Sequence, residues 1–268
     1  MKNIKNSKHY SKASSRIAQR RKVRAMAKRL FQVVLALVIF VGTGFLSRAD
    51  FMQIKSFEIS GAENVSQENI KSFVSNFASG TKLFFIPKSN IVLFNKDNLS
   101  SALLSKFKEI EKVKINKNFL SGEVSLYIVE RKGEFLWCAE DGTCFNMTKD
   151  GLVFENSAYL GGKIIFRGIL IGDPTMKNFA TPETMKAYLD FIGALKMGDL
   201  SVFSISIESS DKAVAETNIG DIYFTPDAKD LSVVAENVIL LIKEIKSKNS
   251  SSTFQYIDAR FGNKIFYK

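Results

Sequence analysis

The sequence predicts an α+β protein on a membrane anchor. It reads as an N-terminal transmembrane helix, a small β-α-α-β-β domain, and a β-rich C-terminal domain with one sheet and two helices. Three observations carry this reading. The excess of positive charge is confined to the first thirty residues and is followed directly by an uncharged apolar run. Short alternating segments then flank two stretches of helical periodicity. From about residue 132, strands and Gly-rich turns dominate.

Residues 1–30 carry eleven Lys and Arg and no acid, out of 38 basic residues and a net charge of +11 for the chain. Residues 31–268 therefore balance at 27 basic and 27 acidic, so the body has no global basic footprint of the kind nucleic-acid binding needs. The eighteen uncharged residues Leu30–Ser47 have the length of a hydrocarbon core about 30 Å thick at 1.5 Å rise per residue. Residues 1–29 read as a basic cytoplasmic tail and 30–48 as a transmembrane helix. The positive-inside tendency places the tail in the cytoplasm and the remainder outside. Cleavage as a signal peptide after Ala49 is the alternative, disfavoured by the long charged segment and by Arg48 within the site.

The first extracytoplasmic strand is expected around Ile54–Ser60, ended by Gly61. Ser66 caps a helix in which Ile70, Phe73, Val74 and Phe77 share a face. Asp97 or Asn98 is expected to cap a second helix bearing Leu99, Ala102, Leu103 and Phe107. "KVKIN" and "EVSLYIVER" follow as strands. Beyond Lys132, Asp141-Gly142 marks a hairpin turn that would set Cys138 opposite Cys144. A disulfide, a pair of free thiols and, least favoured for want of further ligands, a metal site all stay open there. Thr181-Pro182 starts a helix with Met185, Tyr188, Leu189, Ile192 and Leu195 on one face. A hairpin turns at Asn218–Gly220. A long helix carries Leu231, Val234, Val238, Leu241, Ile242 and Ile245 as its stripe. The stretch Phe254–Lys268 alternates, turns at Phe261-Gly262-Asn263 and alternates again, a bare edge that invites pairing.

Chemistry is sparse. The single histidine, His9, lies in the tail, so no Ser-His or Cys-His arrangement can form outside the membrane. Glycine loops for nucleotides are absent, and no cofactor is expected. Paired carboxylates need only the right separation. Glu130, Asp173 and Asp258 are candidates by default, and a cell-envelope hydrolase using two of them is the alternative function. The 23 phenylalanines fall mostly on apolar phases and read as core.

The layout resembles the FtsQ/DivIB bacterial cell-division proteins. "IKSFEISGAENVSQENIKSFV" is similar to the opening of their POTRA domain, and "LSSALLSKFKEIEKVKINKNFLSGEVSLYIVERK" to its second helix, paired strands and closing Glu-Arg. "LWCAEDGTCFNMTKDGLVF" resembles the hairpin that opens their β domain, and "YIDARFGNKIFYK" their terminal signature. Two departures stand out. Phe119-Leu120-Ser121-Gly122 occupies the place of a usual Phe-Pro, and Lys132-Gly133 follows the Glu-Arg in place of x-Pro.

The resemblance implies a POTRA domain over 51–131 and a β domain over 132–268. It also implies a noncatalytic scaffold of the cell-division complex at the septum, with no nucleic-acid partner. Its partners would be FtsB/DivIC-type and FtsL-type coiled-coil proteins, received as an added strand at the C-terminal edge. On that reading Arg260 pairs with an acid of the incoming segment and Phe261 anchors it. Gly262 permits close approach, while Lys264, Ile265, Phe266 and Tyr267 form the receiving strand. A POTRA-bearing outer-membrane assembly factor is disfavoured, because the long alternating strands of a membrane barrel are missing.

Overall fold

The computed structural model describes residues 7–82, 86–157, 161–248, 254–262 and 264–268, with backbone only for 7–20. The chain divides into two compact units. One comprises residues through 62 with 66–102 and 114–127, and the other 63–65, 103–113 and 128–268.

The basic segment and the apolar run form one continuous helix, α1 (Ser7–Leu46). Its part Arg21–Leu46 is the one helix among the described residues long and apolar enough to cross a membrane. The chain leaves it through a 3-10 turn, Asp50–Met52, and enters β1 (Ser56–Ser60), whose Phe57 and Ile59 turn inward. The next element, α2 (Gln67–Ala78), starts at Ser66, whose hydroxyl accepts from the Asn69 N–H at 3.3 Å. It buries Ile70, Val74 and Ala78. Two short strands pair as β2 (Thr81–Lys82) and β3 (Ile86–Pro87); residues 83–85 between them lie outside the described residues.

Helix α3 (Lys96–Lys106) begins one residue before the expected caps. Asn95 does the capping, its Oδ1 accepting from Asn98 N–H at 2.9 Å. An Asx side chain just ahead of the first turn competes best for the free N–H groups. Strands β4 (Ile110–Asn118) and β5 (Glu123–Glu130) complete a three-stranded sheet of order β1-β5-β4. Strand β1 runs parallel to β5, with Ser56 opposite Glu123 and Ser60 opposite Tyr127.

The second sheet has ten strands. They are β6 (Phe135–Cys138), β7 (Cys144–Met147), β8 (Leu152–Asn156), β9 (Ile165–Arg167), β10 (Lys177–Asn178), β11 (Val202–Ser209), β12 (Lys212–Thr217), β13 (Gly220–Phe224), β14 (Tyr256–Phe261) and β15 (Lys264–Tyr267). Their order across the sheet is β10-β8-β7-β6-β9-β11-β12-β13-β14-β15. Helices α4 (Pro182–Met197) and α5 (Leu231–Lys248) supply the layer above it. Thr181 caps α4, accepting from Thr184 N–H at 3.2 Å, and Pro182 stands in its first turn. The buried stripe of α4 is Met185, Tyr188, Phe191, Ala194 and Leu195, so Phe191 and Ala194 join the buried face and Leu189 and Ile192 sit at its margins. Phe191 packs on Phe224 with ring centroids 4.6 Å apart. Burial pushes the Tyr188 hydroxyl up to about 12.

Cys138 and Cys144 face each other across the β6–β7 hairpin with Cα atoms 4.1 Å apart and their sulfurs bonded. Leu136 and Ile165 pack against the pair. Three junctions in this sheet are parallel, β9 with each of its neighbours and β13 with β14.

Candidate partner-binding edge

Strand β14 starts beside a glycine. A Cβ on Gly220 would stand 2.4 Å from the Phe254 carbonyl oxygen, so only glycine lets the chain pass there. Beyond it β14 registers on β13, Ile222 opposite Ile257 and Tyr223 opposite Asp258. Ile257 and Ala259 go down into the core. Asp258 and Arg260 share the other face.

Arg260 there bonds within its own strand. Its Nε donates to Asp258 Oδ1 at 2.9 Å and its Nη2 to Oδ2 at 2.7 Å. The Arg260 hydrogen bond holds the Asp258 carboxyl below its ordinary range despite the opposing effect of burial. The guanidinium also lies 5.3 Å from the centre of the Phe261 ring.

A bulge decides where Phe261 points. Asp258 lies opposite Phe266 and Phe261 opposite Lys264, three steps on β14 against two on β15. The extra residue turns Phe261 from the core phase onto the face that bears Asp258, Lys264 and Phe266. Its ring meets that of Phe266 edge-on, with centroids 5.5 Å apart. Gly262 turns the chain with φ of +65°, and nothing lies within 4 Å of where its Cβ would be. The left-handed backbone by itself calls for glycine at this turn. Asn263 lies outside the described residues.

Strand β15 is the outermost of the sheet. Lys268 donates its N–H to the Tyr256 carbonyl at 3.1 Å, and its own carbonyl accepts from Gln255 N–H at 2.6 Å. Antiparallel alternation then aims the backbone groups of Tyr267 and Ile265 away from β14, at the open edge. Ile265 packs against the core, and Tyr267 rests edge-on against Phe254 at 6.0 Å. Phe261, Phe266 and Tyr267 remain 55%, 53% and 53% exposed. The opposite edge, β10, is two residues long. The site offers a short row of free backbone groups, three half-exposed aromatics and the cations Lys264 and Lys268. What it can do is pair with a strand.

The carboxylates named by default are each engaged locally. Glu130 accepts from the N–H groups of Glu63, Asn64 and Val65 at 2.9, 3.0 and 2.9 Å, and from Asn64 Nδ2 at 2.8 Å. Burial works against its charged form, yet the donors of Val65, Asn64 and Glu63 outweigh it and hold the carboxyl low. Asp173 accepts from Thr175 N–H at 2.9 Å in a turn. Asp258 holds Arg260. Among the described residues no group of three or more His, Cys, Asp and Glu could hold a metal ion.

Residues 52–131 match the POTRA domain of FtsQ type. That stretch is a POTRA domain of FtsQ type, and with the apolar helix α1 before it and the β-rich part after it the layout is similar to that of the FtsQ/DivIB proteins. No curated protein matches the chain significantly. The match begins at Met52, closes one residue after Glu130, and so takes in both partners of the Glu130 clasp, the strand end and the loop 63–65. In this FtsQ-type POTRA domain that clasp gives the closing Glu-Arg a structural purpose. Arg131 adds to it, its Nε donating to the Lys108 carbonyl at 3.0 Å.

Proposed function

We propose that this protein is a noncatalytic, membrane-anchored scaffold of the bacterial cell-division complex. Its N-terminal tail is cytoplasmic and its POTRA domain and β domain (132–268) are extracytoplasmic. The β15 edge receives a small coiled-coil division protein of the FtsB/DivIC type, with an FtsL-type protein in the same assembly. The observation that carries this reading is the position of β15, paired on one side only, at the margin of a ten-stranded sheet. Backbone hydrogen bonds to Ile265 and Tyr267 supply affinity, and Phe261 and Phe266 supply an anchor on one face. The Asp258 fork engages two of the five N–H donors of Arg260 and pairs its charge. Lys264 and Lys268 are therefore the cations best placed for an acidic partner.

The test is co-purification from membranes with the full-length chain as bait, wild type against a Phe261→Ala/Phe266→Ala variant. Aromatic anchors of this kind are worth about 2 kcal/mol or more, so recovery of the small coiled-coil protein should fall by roughly thirty-fold. Equal recovery by both baits moves the site off this edge.

A further inference from the structure

The parallel pairing of β1 with β5 brings the starts of both strands to one end of the POTRA sheet. What precedes β1 is the exit from the apolar helix, residues 47–55. What precedes β5 is the tip of the β4–β5 hairpin, residues 119–122. Hydrogen bonds tie these segments together: the Lys55 N–H donates to the Gly122 carbonyl at 2.7 Å. The turn after β3 joins them. The Ile54 N–H donates to the Ser89 carbonyl and the Ile91 N–H to the Met52 carbonyl, each at 2.8 Å. The buried Asn90 side chain donates to the Ser47 carbonyl, one residue past the end of α1, at 2.9 Å. This end of the domain is therefore fastened to the mouth of the membrane helix, within a single compact unit.

It is also the apolar end. Leu120 is 99% exposed, and Phe51, Val92, Leu93 and Phe119 are each more than half exposed. Single exposed apolar residues are ordinary, but here they come from three segments bonded to one another. The flanking charges are cationic: Arg48, Lys55, Lys88 and Lys117 lie within residues 47–55, 86–93 and 117–122, against the single acid Asp50. Lys117 reaches back to the Phe94 carbonyl at 3.1 Å and lies over the Phe119 ring. Aromatic and aliphatic tips ringed by Lys and Arg match the chemistry of the bilayer interface, where apolar groups enter the acyl boundary and cations meet phosphates.

We propose that the POTRA hairpin tip Phe119-Leu120, with Phe51, Val92 and Leu93, is a membrane-seating collar. It enters the phospholipid interface beside the exit of α1 and fixes the POTRA domain upright on the bilayer. The inference rests on the reading of α1 as a membrane span.

The test uses the full-length chain, one copy per phospholipid nanodisc, with an environment-sensitive fluorophore on an introduced cysteine. Cys138 and Cys144 are bonded to each other and do not take the label. Three positions are compared: Leu120→Cys at the tip, Gly42→Cys within the apolar helix, and Lys71→Cys on the exposed side of α2. Leu120 covers nothing in the fold, so its replacement leaves folding intact. The expected result is blue-shifted emission for labels 42 and 120, quenching of both by nitroxide lipids, strongest at 120 for headgroup-proximal nitroxides, and neither effect at 71. Quenching at 42 but not at 120 overturns the collar. A blue shift at 120 without lipid quenching also overturns it, because protein then covers the tip. Absence of quenching at 42 removes the membrane span itself and the collar with it.

Discussion

The guanidinium of Arg260 and the carboxylate of Asp258 form a two-bond fork on one face of β14. Both side chains are mostly shielded, so the pair is a structural brace of the edge. A double-mutant cycle with Asp258→Ala and Arg260→Ala is expected to show a coupling of about 1–2 kcal/mol in chemical denaturation. The Asp258 carboxyl is held low, so this stabilisation is complete above the unfolded value of about 4 and is lost only as pH falls through the lower folded value. Coupling that shows no decline as the pH is lowered until Asp258 is protonated contradicts the assignment.

The Glu130 clasp behaves alike in pH and differs in what it holds. Glu130→Ala leaves three N–H groups of the loop before α2 without their acceptor, a cost of about 1–3 kcal/mol. Hydrogen exchange should locate it: amides 63–65 become fast in the variant while those of α4 keep their protection.

Glu155 has the opposite sign. Burial raises its pKa, and Glu109 and Glu130 add like charge, against the Asn146 side-chain hydrogen bond. A carboxyl raised by folding contributes stability below its unfolded value and loses it as pH climbs through the folded one. Glu155→Gln, which can still accept from Asn146, should raise the melting temperature at pH 7 and leave it unchanged near pH 4. A variant that melts lower at pH 7 would show that the charge is useful.

The Cys138–Cys144 bond closes a loop of six residues' separation. Chain-entropy arguments put its stabilisation at about 2 kcal/mol. Wild type with reductant and the Cys138→Ser/Cys144→Ser variant should unfold at the same denaturant concentration, both below oxidised wild type.

Periodicity and caps made most of the local structure legible. The helix carrying Ile70 and Val74 starts at Ser66 as expected, and α4 starts at Thr181-Pro182. The shift to Asn95 at α3 arose because three Asx residues lie close together, and each can cap. Long-range pairing was less legible. Nothing local marks β9 as the strand between β6 and β11, because three residues carry no period of their own. At the edge, Asp258 and Arg260 were visible as alternate residues on one strand face. Their mutual bond competes with any outside partner for Arg260, and alternation alone cannot rank the two. The outward turn of Phe261 depends on a bulge, and bulges are set by strand register that a single sequence does not display.

The parallel junction of β13 with β14 has a temporal consequence. Parallel neighbours cannot be joined by a tight turn, so the chain between them must cross over the sheet, here through α5, before β14 finds its place. The edge at β15 therefore does not exist in a half-made domain. A partner that recognises it senses completed folding, and a half-folded β domain offers nothing to recruit.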